Sequence, residues 1–247
     1  MKILFFTQYF WPENFRINEI VNYFKTSKNS LTILTGYPTY PHKKNFINFK
    51  NKKKSISSSE FKLFRAPIIP RSDSNISIML NYISFIISSF FYGIFAMFKT
   101  RVDVIFLFCP SPIFSALPAI FINKFFKKKM VIWILDLWPD TIIDLKILKN
   151  KYLIKIIKIV KKFIYNNADL ILAQSKSIKL EIEKITNTKC IYFPSWPEEE
   201  VSNSKIDNYL DLKIKNKTKT TIMFAGNIGE AQSFETLIEA AKILKEL

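Results

Sequence analysis

Two charged clusters follow apolar runs in this chain, and they hold the residues best suited to chemistry. Asp136 comes directly after the apolar run Met130–Leu135, and Asp140 follows after Trp138-Pro139. A carboxylate at the carboxyl end of a parallel strand can accept the proton of a substrate hydroxyl or orient that hydroxyl. Asp is equally a common helix N-cap, and for Asp136 both roles stay open. Glu13, Asn14 and Arg16 follow the first apolar run, 2–7. At the opening of a helix they would stand where anions such as a diphosphate are favoured. The planar fork of Arg16 matches phosphate oxygens. The alternative is a capping arrangement with a surface Arg. A third signal is the turn containing Gly226, Asn227 and Gly229, where glycine lets backbone approach a diphosphate closely. An ordinary strand–helix turn needs the same residues.

The elements that must position these groups alternate. Strands are expected at 2–7, 31–35, 61–66, 103–108, 130–135, 169–173 and 189–193, and helices at 12–27, 76–98, 112–126, 151–166 and 175–186. The first helix would start at Pro12 and Glu13, with Phe15, Ile17, Ile20, Val21 and Phe24 at helical spacing. Repeated βα units predict a parallel sheet with helices on both faces. Residues 42–60, rich in Lys and Ser, read as a surface loop. Residues 220–226 (TTIMFAG) read as a further buried strand, leading through the glycine turn to a helix at 233–247. One such unit cannot bury both faces of its own strand. The expected organisation is a Rossmann-like α/β domain over 1–197, a linker over 198–219, and over 220–247 the first βα unit of an incomplete second domain.

Composition narrows the partners. The formal net charge is +17, with one histidine, His42, and two cysteines, Cys109 and Cys190, far apart in strand-like runs. That pattern is no disulfide framework and no zinc site, and a reducing cytosol fits it. The run 2–6 is too short for a signal-peptide core and reads as a first strand. Nucleic acid is disfavoured, because no zinc finger, RNA-recognition signature or helix-turn-helix is found. A solvated Lys-rich surface is the bland reading of the charge, and an anionic membrane is the other.

Two segments bear on that choice. Ser74–Phe98 is 25 uncharged residues, with Ser74, Ser77, Asn81, Ser84 and Ser88 as a polar stripe. A bilayer span, a helix in the membrane interface and a buried core helix remain open for it. In 151–166, Lys151, Lys155, Lys158 and Lys162 share one side with Lys161 alongside, and Leu153, Ile154, Ile156, Ile157, Val160 and Ile164 fill most of the other. This basic amphipathic helix is either a membrane anchor or a core helix with a Lys-rich solvent face.

The blocks QYFWPENFRINEI (8–20), FCPSPIFSALPA (108–119), WILDLWPD (133–140) and MFAGNIGEAQSFETLIEAA (223–241) resemble the retaining family 4 glycosyltransferases of the GT-B fold. Within them the chain is similar to the L-fucosamine transferases of bacterial surface-polysaccharide assembly, from Met1 to Leu247. The resemblance implies two Rossmann-like domains facing across a cleft. The first would bind a polyprenyl-diphosphate-linked sugar acceptor and the second a nucleotide-sugar donor. It also implies a peripheral enzyme on the cytoplasmic face of the inner membrane, and the single histidine of the composition speaks against a metal. By this resemblance Glu13, Asn14 and Arg16 bind acceptor, Asp136 and Asp140 are catalytic, and Gly226, Asn227 and Gly229 bind donor. Lys151, Lys155, Lys158 and Lys162 would meet the membrane. The leaving diphosphate can itself take the acceptor's proton, in which case Asp136 only positions.

The chain departs from the family in two ways. No histidine aligns with the one many members place in the cleft. The downstream glutamate pair and basic residues that hold the donor have no counterpart, so a truncated chain, inactive without the missing half, is expected. Three functions compete: this transferase, a non-catalytic membrane- or acceptor-binding fragment of a disrupted gene, and a charge-driven nucleic-acid binder.

Overall fold

The computed structural model describes residues 1–26, 29–40, 61–72, 74–140, 143, 148–196, 222–226, 228 and 232–246. The expected loop 42–60 with His42, the linker 198–219, Asn227 and Gly229 lie outside the described residues. The chain divides into two compact units, residues 1–143 with 148–195, and residues 196–247 with 144–147.

The first unit is built on a parallel sheet. Its strands are β1 (Lys2–Thr7), β2 (Ser30–Gly36), β3 (Phe61–Ala66), β4 (Val104–Cys109), β5 (Lys129–Ile134), β6 (Leu170–Ala173) and β7 (Cys190–Tyr192). They lie in the order β3-β2-β1-β4-β5-β6-β7, and every pairing is parallel. The largely apolar segments ILFF, LTIL and MVIWI suit strands buried on both faces. The helices are α1 (Ile17–Thr26), α2 (Asn75–Lys99), α3 (Leu117–Phe126), α4 (Lys151–Asn166) and α5 (Lys176–Glu183). A short 3-10 turn, Ile113–Ala116, precedes α3, because Pro118 and the turn before it interrupt the single helix expected over 112–126.

The pleat sorts the core. Leu4, Phe6, Leu107 and Ile132 join Phe85, Ile120, Ile164 and Ile182 in one buried cluster, so α2, α3, α4 and α5 all pack on one sheet face. Phe5 points the other way, and its ring meets Phe24 of α1 at 5.9 Å. Rings also lock α2 to the sheet, Phe85 lying edge-on to Phe6 at 6.1 Å.

Expectations for the first helix and for α4 also need correction. The first helix starts at Ile17, not residue 12, because the Glu13 side chain turns inward and bends residues 8–16 into a loop. In α4 the expected apolar side is only partly buried: Ile157 and Ile164 are inside, while Leu153 and Ile156 are exposed. Lys161, expected beside the basic face, is 3 % exposed.

In the second unit, α6 (Phe234–Glu246) matches the expected helix. Residues 222–225 carry no strand, and Ile222, Met223 and Phe224 are exposed. An extended segment becomes a strand only through hydrogen bonds to a neighbour, and no described strand pairs with this one.

Removing the Phe85 ring should therefore cost more than removing an equal ring on the outside of the same helix. Phe85→Ala, at a fully buried position, should lose about 3–5 kcal/mol in urea denaturation. Phe91→Ala, 63 % exposed, should stay within about 0.5 kcal/mol of the parent. Equal losses would refute this placement of α2.

Candidate functional site at the carboxyl edge of the sheet

From β1 the chain moves to β2 and β3, then returns past β1 to β4. The loops after β1 and β4 therefore diverge and leave a crevice at the strands' carboxyl ends, the place where open α/β sheets bind ligands. Both charged clusters lie along this edge, the Glu13 loop after β1 and the Asp136 loop after β5.

The first loop is organised around Glu13, which is 2 % exposed. One carboxylate oxygen accepts the Thr39 and Tyr40 N–H groups at 2.9 and 2.8 Å, and the other accepts the Phe10 N–H at 3.3 Å. Burial pushes the carboxyl from its ordinary 4.5 up to about 7, against the pull of those three N–H groups and of Arg65. Glu13 thus ties its own loop to the loop after β2, with its acceptor sites already taken up by backbone. Asn18 adds to the frame, accepting the Trp11 N–H at 2.9 Å and donating to the Glu13 carbonyl at 2.7 Å. Arg65 donates to the carbonyls of Gly36 and Trp11, and burial lowers its guanidinium to about 10.

Asn14 is exposed and Arg16 half-buried at the mouth of this loop. Arg16 pairs with Glu19 at 2.6 Å, one turn into α1. The Arg16 carbonyl accepts from the Ile20 N–H at 3.3 Å, so Arg16 does stand at the helix start. Of the three expected acceptor residues, the fold leaves Asn14 and Arg16 facing outward and draws Glu13 inside.

Behind the loop lies a polar network that sequence reading did not find. Gln8 donates to Asn81 of α2 at 2.9 Å, and Asn81 donates to the Ile69 carbonyl at 2.6 Å and to Thr39 at 3.3 Å. Among the described residues, the side-chain amide oxygen of Gln8 is buried without a hydrogen-bond partner. The Arg71 guanidinium lies over the rings of Tyr40 and Tyr82 at 5.1 and 5.9 Å. Tyr9 stacks on Phe15 at 4.7 Å, and burial raises its hydroxyl well above the usual range. The one available signal was Asn81, an amide in an apolar helix, since a buried amide needs partners.

The second loop carries both aspartates. Asp136 is half-buried two residues beyond β5. Asp140 forms an ion pair with Lys161, which reaches it from the inner side of α4. The Tyr165 hydroxyl, one turn further along α4, is buried and has no hydrogen-bond partner among the described residues. Burial first, and then the charge of Asp140, raises it above the ordinary tyrosine value. Cys109, at the end of β4, is pushed up to about 12 by burial and is no reactive thiolate. A single-sequence reading places Lys161 among four other lysines, and nothing in its spacing sets it apart. Among the described residues, no three His, Cys, Asp or Glu side chains converge as a metal site would require. Gly226 lies in the second unit. It is exposed, and a Cβ placed there would meet the Phe224 ring at 3.1 Å. Lys151, Lys155, Lys158 and Lys162 are all exposed on α4.

No family model matches the chain. It is 27 % identical over 263 residues to a protein of Escherichia coli strain K12 that bears the name colanic acid biosynthesis glycosyl transferase WcaI, covering 100 % of this chain and 63 % of that relative. Among solved structures it is similar to a sucrose-phosphate synthase from Thermosynechococcus elongatus, with a TM-score of 0.55, 10 % identity and coverage of 86 % of this chain and 52 % of that one. A UDP-glucosyltransferase from Polygonum tinctorium aligns with a TM-score of 0.47 and 10 % identity, over 79 % of this chain and 52 % of that one. The chain thus spans about 63 % of the curated relative's length. The expected parallel α/β sheet is present, and the chain shares a Rossmann-like, GT-B type fold with the synthase.

Proposed function

We propose that the chain belongs to a retaining, nucleotide-sugar-dependent glycosyltransferase of the family 4 type, acting in surface-polysaccharide assembly. The observation that carries this is the 27 % identity to a protein named as a glycosyl transferase, which extends over the whole chain, site loops included. The substrate reading is finer and rests on the blocks quoted above. An N-acetylated deoxysugar, of the L-fucosamine type, passes from its nucleotide to a polyprenyl-diphosphate-linked acceptor in O-antigen or capsule assembly. Residues 1–197 form the acceptor side, 198–219 the linker, and 220–247 the opening of the donor domain.

The residues divide by role. Arg16 and Asn14 grip the acceptor diphosphate, and Glu13 holds their loop in place. Asp136 orients the acceptor hydroxyl, or takes its proton if the leaving diphosphate does not. Asp140, held in place by its ion pair with Lys161, is the second carboxylate that can orient that hydroxyl. Gly226, Asn227 and Gly229 approach the donor diphosphate. No metal is needed in this scheme. The protein works peripherally at the anionic cytoplasmic face of the inner membrane, with α4 lysines toward it, and takes no nucleic-acid partner.

Acceptor binding tests the scheme without requiring turnover. A polyprenyl-diphosphate-linked N-acetylhexosamine in detergent micelles should bind the chain, and Arg16→Ala should weaken it by roughly tenfold or more, the worth of a charged hydrogen bond. Asp136→Asn should leave binding intact and reduce any transfer by about 10²-fold or more. Asp140→Asn is a poorer probe, because it leaves Lys161 buried without its counter-charge. Unchanged binding in Arg16→Ala would remove the acceptor role from this loop.

The structural role of Glu13 has its own signature. Its carboxyl is raised from 4.5 to about 7 in the folded chain, so between those values the folded state holds a proton that the unfolded state releases. Its contribution is full below about pH 4.5 and is lost as pH rises through about 7. Urea midpoints should therefore fall across that window, and Glu13→Gln should flatten the fall. An unchanged slope in the variant would show that Glu13 is not the group responsible.

A further inference from the structure

Helix α2 is amphipathic in the reverse sense for a protein in water. Its exposed positions recur every three or four residues, and they are apolar: Ile76, Met79, Ile83, Ile87, Phe91, Phe95 and Phe98 are between 43 % and 76 % exposed. Its polar residues turn inward. Asn81 and Ser89 are buried, and the Ser84 and Ser88 hydroxyls donate to carbonyls three residues back. The stripe continues onto α3, where Phe121 and Phe125 are 44 % and 79 % exposed. Phe98 meets Phe126 at 5.3 Å, and Phe121 meets Phe163 of α4 at 6.0 Å, so the three helices form one continuous layer. A shallow groove between α2 and α3 is lined by Ile87, Phe91, Leu117 and Phe121 among other apolar side chains. Exposed apolar surface this continuous marks an interaction site.

Charge names the occupant. Helices α2, α3 and α4 contain no Asp or Glu. They carry Lys99, Lys124, Lys151, Lys155, Lys158 and Lys162 instead, and Lys124 lies over the Phe163 ring at 4.7 Å. A second copy, itself at +17, would bring like charge against like. Anionic headgroups around an acyl interior complement both the cationic rim and the apolar stripe.

We propose that the outward stripe of α2, with Phe121 and Phe125 of α3, embeds in the interfacial layer of an anionic phospholipid bilayer, α2 lying in its plane. This deepens the membrane reading above and rests on it only for the anionic leaflet. A crossing is ruled out by the inner face. Phe85 is fully buried against the sheet, and a Cβ on Gly93 would come within 2.4 Å of Ile122. Spanning would strip that face from the core. The helix is about 37 Å long at 1.5 Å per residue, so laid flat it offers a long contact. Its N-terminal half holds Asn81 against Gln8 at the candidate site, so docking by this face sets the site's edge beside the lipid surface.

Vesicle flotation of the whole chain tests this, using phosphatidylcholine vesicles with and without phosphatidylglycerol. Binding should require phosphatidylglycerol, and Phe91→Asp/Phe95→Asp should weaken it at least tenfold with unchanged circular dichroism. An environment-sensitive dye on Ile87→Cys should shift to the blue on binding, while the same dye on Tyr23→Cys, 70 % exposed on α1, should not. The native cysteines are buried and will not compete for label. Wild-type vesicle binding by the double variant, with a water-like dye at 87, overturns embedding and leaves an anchor of α4 lysines alone. A dimer that the double variant dissolves, without vesicle binding, overturns it in favour of self-association. No binding to any vesicle overturns embedding and the membrane reading together, and leaves acceptor binding in detergent to be judged separately.

Discussion

The pairing of β1 with β4 is the constraint on which the rest depends. Residues Ile3 to Thr7 run in register with Val104 to Phe108, and this pairing closes the sheet after the chain has gone out to β3 and come back. The reversal parts the loops at the carboxyl edge. It also forces the long return through α2, because a parallel strand can be reached only by crossing a face of the sheet. The crevice and the exposed helix are two results of one crossover.

The polar interactions at that edge serve mainly to hold loops in shape. Glu13 spends its lone pairs on three backbone N–H groups, and Arg65 spends its guanidinium on two carbonyls. A loop fixed in this way holds Asn14 and Arg16 in place before any ligand arrives, and in the proposed acceptor role this would lower the ordering cost of binding. In the second loop, Lys161 plays the corresponding part for Asp140. Removing one partner of such a pair exposes the other to an uncompensated burial cost, so each pair constrains both residues' geometry.

α2 links the two halves of the functional picture. Its inner face closes the core and meets the site through Asn81, while its outer face carries the apolar stripe. A helix that was polar outside would serve the core equally well. The apolar exterior is the surface that the proposed lipid contact would use, and its surroundings carry lysines and no acidic residue.

The alternation of strands and helices was legible in the residues, because apolar runs of strand length and helix length differ in period and these segments are long. All seven sheet strands begin at the expected residue or within one of it, from β1 at Lys2 to β7 at Cys190, and even β3 beyond the loop begins at Phe61 as expected. The first helix was misplaced because Pro12 and Glu13 are good helix openers locally, and only contact with Thr39 and Tyr40, 26 and 27 residues away, draws Glu13 inside. Residues 222–225 failed as a strand for the converse reason: the residues suit one, yet a strand exists only beside a partner. What the sequence determined alone was the period of each element, the excess of positive charge and the places of the chemically able residues. Which lysine turns inward, which face of α2 meets the core and which carboxylate is already engaged were decided by tertiary contact, since burial is a property of neighbours and not of a residue type.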